Sequence, residues 1–129
     1  MIVVDTNVVA YYCVPGPLTE AAWKLAKRDL DWHAPFLWRS EFQSMLVGEV
    51  RRNQINWPRA EAALAVAERR MGERGHFVQG ADVLRLAMQS RCSAYDLEFV
   101  ALAQRLQVPL ITLDRQILRE FPDLARPLA

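Results

Sequence analysis

The amino-acid sequence predicts an α/β protein, a single-domain α/β/α sandwich with a central parallel sheet spanning residues 1–129. Three observations predict it. The apolar run Met1-Ile2-Val3-Val4 reads as a buried strand and closes on Asp5. A second such run, Val108-Pro109-Leu110-Ile111-Thr112-Leu113, closes on Asp114. Strands without polar alternation are those covered on both faces, as in parallel sheets, and the stretches between them have helical period.

The elements follow in order. After the first strand, Asn7 to Cys13 reads as a short helix, stopped by Pro15-Gly16-Pro17. Leu18, Ala22, Leu25 and Ala26 give an apolar stripe to a helix over 18–30. Trp32 to Pro35 is a brief extended piece, followed by a helix over 37–53 with Trp38, Phe42, Met45 and Leu46 facing inward. A helix over 58–73 carries Pro58 in its first turn, where the missing N–H costs nothing, and is expected to end at Gly75. A short strand over 76–79 and helices over 80–90 and 94–107 come next. A strand over 109–113 and a helix over 115–120 complete the pattern. Such alternation implies right-handed crossovers.

Composition excludes several classes. With 52% hydrophobic and 24% charged residues the chain is globular rather than disordered. No apolar stretch is long enough to cross a bilayer, and no basic segment leads into an apolar one, so no membrane association and a cytoplasmic location are expected. Cys13 and Cys92 lack metal or redox spacing and are expected to be buried free thiols. The net charge of +1 does not advertise nucleic-acid binding. Six arginines against three glutamates over residues 51–75 read first as a solvated helix face. Trp23 and Trp38 fall on apolar stripes and are expected in the core. His33 and His76 read as a loop and a strand residue rather than metal ligands.

Four acids carry the chemistry. In an open parallel sheet ligands collect at the carboxyl ends of strands, where Asp5 and Asp114 stand. Glu41 lies on the border of an apolar helix stripe with no lysine within one turn, and Asp96 opens a helix three residues after Ser93. Each has a local alternative: Asp5 and Asp114 suit helix N-caps, and Ser93-Ala94-Tyr95-Asp96 suits a capping box. Together they suit a metal site. Two carboxylates about 4 Å apart repel by roughly 4 kcal/mol at an effective dielectric of ~20, so four in one cleft need a divalent cation or raised pKa values. An all-oxygen donor set selects Mg²⁺ or Mn²⁺.

The stretches Ile2-Val3-Val4-Asp5-Thr6-Asn7-Val8, Ser40-Glu41-Phe42, Ser93-Ala94-Tyr95-Asp96 with Ala101-Leu102-Ala103, and Leu110 to Asp114 resemble the PIN-domain ribonucleases. Within them, the resemblance is to the VapC-like toxins of type II toxin–antitoxin systems. It implies a PIN-like fold and a catalytic quartet at Asp5, Glu41, Asp96 and Asp114, with Asp5, Asp96 and Asp114 as metal ligands. Glu41 would act through water or as a base, and Asn7 and Thr112 would support the site. The resemblance further implies cleavage of RNA, a homodimer and a cognate antitoxin that blocks the site. If an antitoxin binds, its expected mode is a helix in an apolar groove between the N-terminal helices. Gln116 departs from the Asp or Asn of many relatives, which leaves one or two ions open. Two other functions fit the same residues: a catalytically degenerate PIN module that binds RNA or a protein, and a structure-specific DNA nuclease or phosphatase-like hydrolase.

Overall fold

A computed structural model describes all residues 1–129. Five strands form one parallel sheet: β1 (Ile2–Val4), β2 (Trp32–Pro35), β3 (Gly75–His76), β4 (Leu110–Thr112) and β5 (Ala125–Pro127), in the order β3-β2-β1-β4-β5. Seven helices flank it: α1 (Thr6–Cys13), α2 (Thr19–Arg28), α3 (Leu37–Arg51), α4 (Trp57–Met71), α5 (Gly80–Ala87), α6 (Ala94–Leu106) and α7 (Arg115–Glu120). Every residue of β1, β2 and β4 is buried, so both faces of the central strands are covered. The predicted α/β/α sandwich is the one observed.

Register positions the site. Val3 pairs with Leu110 and Val4 with Ile111, and the ladder continues as the Asp5 N–H donates to the Ile111 carbonyl at 2.9 Å. Asp5 and Asp114 therefore leave adjacent strands at the same edge. The core runs through Trp32, Phe42, Leu97, Phe99 and Ile117, and α6 lies across β1, β2 and β4. Arg70 of α4 stacks its guanidinium on Trp32 at 5.0 Å and on Tyr12 at 5.7 Å and donates to the Leu30 carbonyl, pinning α4 to β2 and α1.

Several expectations need correction. The strand expected over 76–79 is the pair Gly75–His76, and Phe77 beyond it stands exposed. Gly72 rather than Gly75 stops α4: its φ of +55 is a conformation glycine adopts without strain. Gly75 has a different task, because Phe36 lies where a Cβ would stand, 2.8 Å from it. β5 was not foreseen. Trp23 is exposed, its indole donating to the Tyr12 carbonyl at 3.2 Å, whereas Trp38 is buried as expected. Cys92 is buried and Cys13 half-buried, both free. His33 is a buried residue of β2, not a loop residue, and its ring meets His76 at 2.7 Å and Asp31 at 2.8 Å. The arginine-rich stretch is mostly solvated, although Arg70 and Arg74 turn inward to backbone carbonyls.

Phe99→Ala empties a fully packed position on α6 and is expected to cost about 3–5 kcal/mol in urea denaturation, whereas exposed Leu30→Ala stays within about 0.5 kcal/mol. Equal costs for the two would mean that α6 does not form the center of the core.

Candidate active site

The four acids come to one place. Asp5, Glu41, Asp96 and Asp114 line a single cleft of about 350 Å³ with Thr6, Asn7, Ser44 and Met45. It opens at the carboxyl edge of β1 and β4, where the α1, α6 and α7 N-termini meet the side of α3. The local readings hold as well. Asp5 is the N-cap of α1, its Oδ1 accepting from the Thr6 N–H at 2.8 Å, and Asp114 is the N-cap of α7, its Oδ1 accepting from the Ile117 N–H at 2.9 Å. Ser93 caps α6 and accepts from the Asp96 N–H at 3.1 Å. Capping and convergence are one arrangement, since a cap fixes the direction in which the other carboxylate oxygen points.

Two hydroxyls join these acids across the fold. Thr112 is fully buried; its hydroxyl donates to Asp5 Oδ2 at 2.7 Å and accepts from the Asp114 N–H at 3.0 Å. Thr6 donates to Glu41 Oε1 at 2.6 Å, tying α1 to α3. The sequence singled out Thr112 and Asn7, and both are placed at the site, Asn7 as a lining residue. It missed Thr6 and Ser44. Thr6 follows Asp5 directly, but nothing in the sequence shows that its hydroxyl meets a helix 35 residues away. Gln116 does not line the cleft and lies beside Glu120.

The cleft is electrostatically unbalanced. No Lys, Arg or His lines it, and none of the four carboxylates takes part in an ion pair. Burial pushes Asp5 up to about 6, helped by the charges of Glu41 and Asp96 and opposed by its bonds from Thr112 and Thr6. Burial likewise raises Glu41, with Asp96 and Glu98 adding to it and the Thr6 hydroxyl opposing. Asp96 is raised by burial and by Asp114, against the Ser93 hydroxyl. The donor set is all oxygen and fits a hard divalent cation. No three His, Cys, Asp or Glu groups are gathered at ligand spacing as they stand, so holding one ion requires the carboxylates to draw inward.

Comparison with known proteins bears on the fold and on one relative along the whole chain. The chain is 29% identical over 136 aligned residues to Ribonuclease VapC3 of Pyrobaculum aerophilum, covering 98% of each sequence. The chain is similar to a VapC ribonuclease along its whole length. Among solved structures, its PIN-like fold matches PAE2754 from Pyrobaculum aerophilum with a TM-score of 0.75 at 19% identity, over 98% of this chain and 90% of that one. It also matches FitAcB from Neisseria gonorrhoeae with a TM-score of 0.69 at 18% identity, over 97% and 95%. No protein-family model matches the chain.

The raised Asp5 has a stability consequence for the fold. Between about pH 4, the ordinary carboxylate value, and about 6, the folded state keeps a proton that the unfolded chain has lost, so stability falls as pH rises through that window. Asn caps helices as well as Asp. Asp5→Asn is therefore expected to stabilise the metal-free protein by about 1–3 kcal/mol at pH 7.5 and to give no gain at pH 4, by urea denaturation in EDTA. A variant equally destabilised at both pH values would show that the charge on Asp5 does not oppose folding.

Proposed function

We propose that the chain is a metal-dependent endoribonuclease, the toxin of a toxin–antitoxin pair, acting as a homodimer and held inactive by its cognate antitoxin. The observation that carries this reading is the gathering of Asp5, Glu41, Asp96 and Asp114 in one cleft that no Lys, Arg or His lines. Full-length similarity to a protein named as a ribonuclease supports RNA as the substrate.

The residues would divide the work as follows. Asp5, Asp96 and Asp114 hold Mg²⁺ or Mn²⁺, for which their oxygens are the suited donors. A bound cation of this kind offsets charge on the scissile phosphate and leaving oxygen and acidifies water. Glu41 would take the proton of the attacking water: Thr6 occupies Oε1, which leaves Oε2 for the proton, and the raised pKa makes the carboxylate a better base. Water then bonds to phosphorus as the bond to the leaving ribose oxygen breaks. Thr112 and Asn7 support the site, Thr112 by keeping Asp5 and Asp114 in fixed relation. Without the cation, the same acids repel the phosphate backbone.

An adjoining groove supports a protein partner. About 320 Å³ in volume, it is lined by Ala10, Tyr11, Val14, Phe42 and Leu46 and joins the acidic cleft at Asn7 and Met45, which line both. An amphipathic helix laid along it buries its apolar face and reaches the acids with a basic side chain. An antitoxin seated there excludes RNA by occupation and by charge.

With Mn²⁺ and a mixed RNA pool, the wild type is expected to cut at mapped positions, and Asp96→Asn to lose at least about 100-fold in rate while keeping its fold. EDTA is expected to abolish cleavage. Undiminished cutting by Asp96→Asn, or in EDTA, would defeat the metal-dependent reading.

A further inference from the structure

We propose that Ser44 is a specificity residue, its side chain hydrogen-bonding the ribose 2′-hydroxyl of a nucleotide that flanks the scissile phosphate. This rests on the ribonuclease reading above and names the group by which the same cleft tells RNA from DNA. Glu41, Ser44 and Met45 leave α3 at i, i+3 and i+4, so all three stand on one wall of the cleft. That wall is held in place. The Thr6 hydroxyl fixes Glu41 Oε1 at 2.6 Å, and buried Phe42 and Leu46 anchor the helix on either side of Ser44.

Side-chain donors in the cleft are few. Its four acids, when ionised, only accept, and Met45 has no proton to give. Thr6 commits its hydroxyl proton to Glu41. What remains is the Asn7 amide and the Ser44 hydroxyl, both exposed and neither engaged in a hydrogen bond through its side chain. Asn7 also lines the apolar groove, whereas Ser44 lines the acidic cleft and not the groove. Of the two free donors, Ser44 is the one that belongs to the cleft alone.

The chemistry of a nucleotide matches this wall. The four acids serve the phosphate and its cation, which leaves the sugar without a donor. A 2′-hydroxyl both donates and accepts, and so does serine, whereas an ionised carboxylate only accepts. Met45, one residue further on, offers a thioether to the apolar carbons of the same sugar. The wall therefore meets a nucleotide in order: phosphate at Glu41, hydroxyl at Ser44, sugar face at Met45. A deoxyribose in that place covers the serine hydroxyl and leaves it unbonded, a loss that apolar contact does not repair.

Cleavage in Mn²⁺ of a single-stranded RNA carrying one altered sugar beside a mapped cleavage position tests this. The wild type is expected to lose about 10-fold in kcat/KM when one flanking 2′-hydroxyl is replaced by hydrogen or by fluorine, the latter keeping the ribose pucker. Ser44→Ala, which an exposed helical position accepts, is expected to slow the all-ribose substrate by a similar factor and to show less than about 2-fold dependence on the same sugar. Gln43→Ala, exposed on α3 and outside the cleft, is expected to keep the wild-type ratio. A wild type that cuts RNA but is indifferent to the altered sugars overturns the proposal and leaves the nuclease reading standing. So does a Ser44→Ala that keeps the full penalty, an outcome that moves the hydroxyl onto a phosphate oxygen. Filter retention in Ca²⁺ reads the contact without hydrolysis. If no RNA is cut, a wild type that retains RNA at least about 5-fold better than its 2′-deoxy counterpart, with Ser44→Ala retaining both alike, supports the contact while the nuclease reading fails. Equal retention by that wild type overturns it.

Discussion

The hydroxyl of Thr112 is the tie on which the site depends. Buried in β4, it donates to the Asp5 carboxylate at the end of β1 and accepts from the backbone N–H of Asp114, so one oxygen ties two strands and two helix caps together. A buried hydroxyl with both capacities used holds its neighbours more narrowly than packing alone. It also lowers the cost of keeping Asp5 ionised where burial opposes the charge. Valine, nearly the same size, would fill the space and leave both partners without the bond.

Thr6 does for the helices what Thr112 does for the strands. By bonding Glu41 it decides where α3 stands against α1, and the apolar groove of Tyr11, Phe42 and Leu46 opens between those same helices. Groove shape and the orientation of the carboxylate are therefore coupled, so a partner that fills the groove touches the element that aims Glu41.

Much of this was legible in the sequence, and the reason is local. Asp5 and Asp114 end apolar runs whose burial fixes the strand, so their position at the sheet edge follows from hydropathy and topology. Glu41 stood out because an acid bordering an apolar stripe needs an explanation. What was illegible depends on packing between distant segments: the Thr6 bond to Glu41, the cleft-lining Ser44, and the exposure of Trp23. Trp23 was read onto the apolar stripe of α2, but the buried side of that helix is Thr19, Ala22, Leu25 and Ala26, and periodicity does not separate a covered side chain from one lying on the surface beside it. β5 escaped because Pro122 just before it and Pro127 at its end read as loop, although proline is admissible on an outer strand whose free side needs no N–H. Gly72 and Gly75 were confused because both follow a helical pattern and only backbone angles tell which one turns the chain.

The two rims of the sheet are blunt. One ends in a strand of two residues and the other in a strand closed by Pro127, which has no amide hydrogen to offer. A foreign strand would find almost no ladder to extend, so the molecule resists runaway β-stacking even at high concentration. Whatever it associates with must grip it through helices and side chains, and such contacts can be released without unpairing the sheet.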